Sequence, residues 1–206
     1  METPITMKTI LVPMEDDAAM QSALETALLL ARRYDSYMEG FALRWQIAGV
    51  AEVDMVGGIP SETYTQDAVR IEQQARGIFE SFMQKHDVPQ STAIKDAFSF
   101  GWLESAPEGY GFVGSYGRVF DVIVMNRLGE NTTGLHNRAV DSGLFGSGRP
   151  ILLAPPSPPQ QIANNVLITW NCSTEQARAT APLGRRLTNC YVSPTCKKVN
   201  KIEDFR

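Results

Sequence analysis

Runs of apolar, often β-branched residues recur along the chain and alternate with stretches in which apolar residues stand three or four apart. The clearest example is the segment 120–154, where runs at residues 120–126 and 150–154 are separated by about the length of a helix. Parallel neighbours in a sheet require such a long crossover, so this spacing predicts a βαβ unit. The centre of the first run has no polar alternation, which indicates a strand buried on both faces.

The same alternation extends back to the start of the chain. Three further strands are predicted at residues 7–13, 37–44 and 92–100. Helices are predicted up to about Tyr34 and at residues 66–86, 107–119 and 134–145, and a loop is predicted at residues 45–64. This order predicts an α/β fold, a doubly wound five-stranded parallel sheet of order 3-2-1-4-5, similar to flavodoxin and Rossmann folds. Its switch point lies between the first and fourth strands.

Two of the predicted helices have an apolar side that should pack on this sheet. In the first helix the apolar residues are Met20, Ala23, Leu24, Ala27, Leu28 and Ala31. In the second they are Val69, Ala75, Ile78, Phe79 and Phe82. Ligands of such sheets bind beyond the carboxyl ends of the strands, which places residues 126–134 where a ligand would lie.

The pattern predicts one α/β domain at residues 7–155, followed by a proline-rich linker at residues 156–164. Residues 165–206 are predicted to be the start of a second such domain with an irregular tail, because residues 165–181 repeat the strand, turn and helix start of residues 9–27. Pro182 falls where the repeated helix should continue, and no further strand is expected after residue 188. A piece of this size cannot bury its own apolar surface, so its strand at residues 166–170 (Val-Leu-Ile-Thr-Trp) is expected to add to an existing sheet edge, in its own chain or in that of a partner.

Composition narrows the possible functions. The net charge of -4 over 206 residues argues against nucleic acid as a partner, and no apolar run approaches the roughly 18 residues of a membrane span. With a polar, acidic start that is unlike a signal peptide, the chain is expected to be cytoplasmic. The three cysteines all lie after residue 171, so a disulfide framework for the main domain is not expected. Only two histidines occur, His86 and His136, and neither has the spacing of a metal site.

Four segments carry a resemblance to a known family. They are Ile-Leu-Val-Pro at residues 10–13 with the acidic turn after it, residues 120–125, the closing run at residues 148–155, and the restart at residues 166–173. Together they resemble the universal stress protein family, in particular its bacterial tandem-domain members. The resemblance implies the sheet just described and a homodimer formed through the last strand, Ile151–Ala154, with residues 166–170 as a second contributor. It also implies either an ATP-binding or a non-binding member, since the family contains both.

The ATP-binding class of that family has the pattern Gly-x2-Gly-x9-Gly-(Ser/Thr) after the fourth strand. Its glycines let the backbone approach phosphates, and the amides at the following helix start face the anion. In this sequence the four positions are Asn126, Gly129, Ala139 and Val140, so three of them depart from the pattern. The acidic residue that contacts the nucleotide in the family is matched by Glu15, with Asp16 as a substitute.

Two interpretations of the loop after residue 126 remain. Its glycines, asparagine and threonines could form a divergent anion-binding nest, or they could be a polar surface turn that ends in a helix cap. The turn is favoured because Arg127 is the only nearby cation of the loop and it contains no lysine. The candidate nucleotide-contacting residues are Met14, Glu15, Asp16, Phe41, Asn126, Arg127, Gly129, Thr132 and Thr133.

Catalysis is not expected from these residues. No Gly-x-Ser-x-Gly elbow is present, and no histidine is placed to activate a serine. The acidic residues 15–17 could hold Mg²⁺ beside a nucleotide, but acidic residues at a helix start are more typical of capping. We therefore expect a non-enzymatic regulatory or interaction protein that binds no cofactor because its ATP site is weakened or lost. The alternative is a switch that binds ATP or AMP with Mg²⁺, of which a slow ATPase would be an extension.

Overall fold

The computed structural model describes residues 7–15, 20–44, 61–93, 97–127, 134–162, 164–170, 173–174 and 189–194. The chain divides into two compact units. The larger is Thr6–Pro159, and the smaller combines Met1–Ile5 with Gln160–Arg206. Within the described ranges, no helix has both the length and the hydropathy needed to cross a membrane.

The larger unit is built on a five-stranded sheet. Its strands are β1 (Thr9–Met14), β2 (Tyr37–Ala42), β3 (Ser99–Trp102), β4 (Val122–Asn126) and β5 (Ile151–Ala154). All neighbours pair in parallel in the order β3-β2-β1-β4-β5, which confirms the fold predicted from the sequence. Every residue of β1, β2 and β4 is buried, as expected for strands covered on both faces.

In the described part of the chain, four helices cover this sheet: α1 (Met20–Tyr34), α2 (Ser61–Lys85), α3 (Gly111–Gly117) and α4 (Gly134–Gly146). Because side chains alternate along a strand, each strand serves both layers. Leu11 and Ile123 pack in one cluster with Val113 of α3 and Val140 of α4. The opposite face lies against α1 and α2, where the ring of Phe79 of α2 lies over Gly40 of β2.

The two strands of the β1–β4 pair are tied together where they begin. One carboxylate oxygen of Asp121 accepts hydrogen bonds from the backbone N–H of Lys8 and Thr9, at 2.8 and 3.0 Å. The same oxygen accepts the Thr9 hydroxyl at 3.1 Å. These three hydrogen bonds to one carboxylate fix the register of β1 against β4 at the end of the sheet where both strands begin.

The helix predictions were right in type and partly wrong in extent. All six apolar residues predicted for the inner side of α1 are buried. Helix α2 begins at Ser61, inside the stretch predicted as a loop, and its predicted side was wrong at Val69 and Ile78, which are exposed. Met83 is buried instead, because the face of α2 that packs on the sheet is the one centred on Phe79.

Strand β3 is shorter and later than predicted, since residues 92–98 precede it. The backbone of residues 89–91 lies along its outer side through a parallel bridge between Gln90 and Phe100. The backbone N–H of Ser91 donates to the Phe100 carbonyl at 2.7 Å, and the Phe100 N–H donates to the Pro89 carbonyl at 2.9 Å. This edge of the sheet is therefore partly covered by its own chain.

Helix α3 is also shorter than the predicted helix at residues 107–119. Its glycines, which disfavour a helix in isolation, here allow close contact with α4. The N–H of Gly114 donates to Ser142 Oγ at 3.1 Å, and Gly146 lies directly against Gly114. Helix contact at this distance requires residues without a side chain, so tertiary packing outweighs the local cost of glycine.

The smaller unit contains two strands, β6 (Asn165–Trp170) and β7 (Asn189–Pro194), paired in parallel with Asn165 opposite Asn189 and Trp170 opposite Pro194. This repeats the six-residue register of β1 and β2. One expectation was therefore wrong. A strand does follow residue 188, and it pairs with residues 166–170. Because of its polar residues and terminal proline, β7 has no strand pattern in the sequence. It is identified as a strand only by its pairing with β6.

Gly114→Ala should destabilise the larger unit by about 1–3 kcal/mol, the usual cost of overpacking. The added Cβ would lie 2.5 Å from the Ser142 carbonyl oxygen, which belongs to the backbone and cannot rotate away. Gly77→Ala is the matched control, because a Cβ there meets nothing within 4 Å and should stabilise helix α2 by up to about 1 kcal/mol. Urea unfolding of both variants measures the difference, and a neutral Gly114→Ala would contradict the close helix contact.

Candidate functional site

The candidate site lies where the order of the sheet reverses, at the carboxyl ends of β1 and β4. These two strands are parallel neighbours, while β2 and β5 lie on their outer sides. Their connections lead away to opposite layers, which leaves room for a ligand at this edge in sheets of this type. Met14 and Asn126 end the two strands, and α4 begins at Gly134 just beyond the second one.

Of the predicted nucleotide-contacting residues that the structure describes, most are buried. Met14, Phe41 and Asn126 are buried in the protein. Glu15 is partly exposed and Arg127 is exposed. Asp16, Gly129, Thr132 and Thr133 lie outside the described residues, so the structure gives no position for them.

His136, which the sequence analysis did not select, is the central side chain of this edge. It lies in the first turn of α4, and its Nδ1 forms a very short contact with a carboxylate oxygen of Glu15. Its Nε2 lies 3.1 Å from the backbone carbonyl oxygen of Asn126. A carbonyl oxygen only accepts, so Nε2 donates the proton of that hydrogen bond, and a second proton lies between Nδ1 and the Glu15 carboxylate.

The Glu15–His136 pair is largely withdrawn from water. The His136 side chain is 5% exposed and that of Glu15 is 15% exposed. The pair also joins three elements, because Glu15 follows β1, the carbonyl acceptor belongs to β4, and the imidazole belongs to α4. Charges that are paired at such low exposure are costly to separate, since either partner would remain buried and unpaired.

Asn126 does not offer its side chain to a ligand at this edge. Its amide nitrogen lies 3.2 Å from Met20 Sδ in α1, while its carbonyl oxygen is engaged by His136. The residue at the first glycine position of the family pattern therefore carries a side chain that is packed into the α1 layer. A backbone approach by phosphates at this position is not favoured by this arrangement.

The signal that could have identified His136 was its place on the inner side of α4. With Ala139, Val140 and Gly143 it stands at the spacing of a core-facing stripe, and all are buried. A polar ring on such a stripe needs hydrogen-bond partners inside the protein. From the sequence, the histidines were considered only as metal ligands and as activators of a serine. Among the described residues, no group of three or more His, Cys, Asp or Glu side chains is arranged to hold a metal ion.

A cation beside this edge is already neutralised. Arg44 follows β2, and its guanidinium donates to the Ala106 carbonyl and lies 3.6 Å from a carboxylate oxygen of Glu72. Glu72 in turn accepts the N–H of Ser105 at 2.7 Å. The arrangement fixes the ends of β2 and β3 to α2, and it leaves Arg44 committed to internal partners.

A second buried carboxylate lies deeper, between β2 and α3. Glu39 is 7% exposed and accepts hydrogen bonds from the hydroxyls of Tyr37, at 2.5 Å, and Tyr116. Burial, followed by the hydrogen bond to Glu39, raises the pKa of both phenols well above their ordinary range. Both tyrosines therefore remain protonated donors in the folded protein at any ordinary pH.

Comparison with known proteins agrees with the fold. No protein-family model matches the sequence, and no curated protein matches it. The structure of the universal stress protein UspA from Lactobacillus plantarum matches with a TM-score of 0.52 and 15% identity, over 73% of this chain and 99% of that one. A universal stress protein from Archaeoglobus fulgidus DSM 4304 matches with a TM-score of 0.67 and 11% identity, over 97% of this chain and 70% of that one. The chain thus has the fold of the universal stress proteins, as the resemblance in its sequence implied.

The tyrosine pair should limit stability at alkaline pH. Because the folded-state pKa values are raised, the stabilisation is complete below the ordinary phenol pKa of about 10 and is lost as the pH rises beyond it. The free energy of unfolding should fall with a slope approaching about 1.4 kcal/mol per pH unit for each tyrosine. Urea unfolding from about two pH units below the ordinary phenol pKa to about one unit above it measures the slope.

The double variant Tyr37→Phe/Tyr116→Phe is the comparison for this slope. It removes both phenols and should show a flatter dependence on pH, although it is less stable at neutral pH because Glu39 loses its two donors. Parallel losses in the wild type and the variant above the phenol pKa would show that these tyrosines do not set the alkaline limit.

Proposed function

We propose that this chain is a universal-stress-type regulatory or interaction protein of the cytoplasm, without enzymatic activity, in which ATP binding is weakened or lost. The observation that carries the proposal is the state of the switch-point edge. Met14, Phe41 and Asn126 are buried, and the carboxylate of Glu15 is engaged by His136. The side chains best placed to meet a nucleotide are therefore committed to contacts within the protein.

The charge at this edge supports the same proposal. A triphosphate is usually held by cations and by backbone amides that it can approach closely. Arg44 is paired with Glu72, and Asn126 stands where the ATP-binding pattern has a glycine. Arg127, which directly follows β4, is exposed. One exposed arginine is a weak counterpart for three phosphates.

A second candidate function is a switch that binds ATP or AMP with Mg²⁺. One observation favours it, namely that Glu15 directly follows β1 at the switch point, where the acidic residue of the family pattern stands. A monophosphate carries less charge than a triphosphate, so AMP would demand less of the single exposed arginine. A slow ATPase would be an extension of this candidate.

The wild-type protein should show no thermal shift with ATP and Mg²⁺. At a hundredfold excess over a dissociation constant, binding would stabilise the folded state by about 2.7 kcal/mol, which is readily detected. Mg²⁺ alone and tripolyphosphate control for non-specific effects, and AMP tests the second candidate. A clear shift with ATP at millimolar concentration would overturn the preferred function, and a shift with AMP alone would favour the alternative.

We further propose that the protein forms a homodimer through β5, with β6 as a second contributor. Among the described residues, β5 pairs with β4 on one side only, whereas the outer side of β3 is lined by residues 89–91. Leu153 of β5 is 41% exposed, which is high for an apolar strand residue. An unpaired strand edge with an exposed leucine is a surface on which a second copy can add its own β5.

Leu153→Lys should convert such a dimer to a monomer, because a lysine on an edge strand opposes strand pairing and must be desolvated in the interface. Val69→Lys is the matched control, since Val69 is similarly exposed at 47% but belongs to α2 on another surface. Light scattering coupled to gel filtration measures the mass of each. Ending the chain after residue 160 tests the contribution of β6 in the same assay. An unchanged mass for Leu153→Lys would exclude the β5 edge.

A further inference from the structure

The contact among Glu15, His136 and Asn126, here called the clasp, fills the place at which this type of sheet binds its ligands. The imidazole lies between the carboxylate after β1 and the carbonyl oxygen at the end of β4. Both of its nitrogens are engaged, and the ring itself is buried. The first turn of α4 is thereby tied to the ends of the two strands that flank the switch point.

We propose that the clasp is an autoinhibitory contact, and that a ligand enters the switch point only when the His136 ring leaves it. The inference rests on the proposed function, because it supplies a reason for weak nucleotide binding that is independent of the missing glycines. His136 is then the residue that determines specificity at this site. Its imidazole takes the two acceptors that a ligand would otherwise use.

The chemistry of those acceptors defines the class of ligand. When His136 leaves, Glu15 presents carboxylate oxygens and Asn126 presents a backbone carbonyl oxygen, and none of these can donate. An opened site with two acceptors and a negative charge fits a group that donates hydrogen bonds without bringing negative charge. The hydroxyls of a ribose and the amino group of adenine meet this requirement, so a nucleoside is favoured over its triphosphate.

The free energy needed to move the His136 ring out of the clasp lowers the observed affinity for the ligand. If only a fraction of the molecules is open, the observed dissociation constant rises by the inverse of that fraction. A buried pair whose partners would be left unpaired on separation keeps this fraction small. Removing the imidazole removes the competition for Glu15 and for the Asn126 carbonyl, and it should increase affinity for the nucleoside.

The test compares adenosine and ATP binding, by calorimetry and ligand-observed NMR, in the wild-type protein, His136→Ala and Glu15→Gln. His86→Ala is the matched control, because His86 also faces a glutamate, Glu25 at 3.7 Å, but follows the end of α2. We expect His136→Ala to bind adenosine at least about tenfold more tightly than the wild type, a factor equivalent to about 1.4 kcal/mol. ATP should gain less, and His86→Ala should behave as the wild type.

Glu15→Gln keeps the test decisive if His136→Ala does not fold. It keeps one acceptor oxygen for the ligand but removes the charge that holds the imidazole, so adenosine affinity should again rise, although by less than in His136→Ala. A slowly exchanging imidazole proton in the NMR spectrum of the wild type reports the closed clasp. That signal should be absent from His136→Ala and weakened in Glu15→Gln.

The outcomes separate this inference from the function on which it rests. Tight ATP binding by the wild type would overturn the proposed function. No ATP binding by the wild type, with no gain for adenosine in either folded variant, would overturn the clasp and leave the proposed function standing. An equal gain in His86→Ala would also overturn the clasp, because the effect would then not belong to the switch point.

Discussion

The seam between β1 and β4 is the constraint on which the rest of this domain depends. Where the strands begin, Asp121 binds the backbone at Lys8 and Thr9. Where they end, His136 bridges Glu15 and the Asn126 carbonyl. Between these two points every residue of both strands is buried, so neither strand can slip without breaking charged contacts at both ends.

This double attachment makes the switch-point edge part of the structural framework of the domain. Doubly wound sheets leave a crevice at the switch point because the connections diverge there. In this chain a carboxylate and an imidazole face each other across that position and satisfy each other. The carboxylate at the end of β1 is then used to hold α4, and Arg44 is used in the same way to hold the ends of β2 and β3 against α2. Groups that could attract a ligand contribute instead to the stability of the edge.

The fold could be predicted from the sequence because local patterns of apolar and polar residues indicate its strands and helices. Apolar runs and helical spacing predicted five strands, their order and the inner side of α1, and these were confirmed except for the bounds of β3. The errors arose where contacts between residues distant in the sequence determine which side chains are buried. Met83 replaced Val69 on the inner side of α2 because of how Phe79 packs on Gly40, and the glycines of α3 are tolerated because of α4.

The candidate site was predicted less completely, for the same reason. Met14, Glu15 and Asn126 were correctly placed at the ends of adjacent strands. The part played by His136 depends on a contact between residues 121 positions apart, which no local pattern reveals. A histidine on an apolar stripe indicates a buried partner, but only the fold identifies that partner as Glu15.

The unequal edges of the sheet have a consequence for assembly. Strand β3 is shielded by the segment that precedes it, while β5 carries no neighbour on its outer side among the described residues. A sheet with two bare sides can recruit copies without limit and grow into a fibre, whereas one with a single bare side is saturated after one addition. The three residues beside β3 oppose strand addition at that edge, so in the proposed dimer growth of the sheet would stop at two copies.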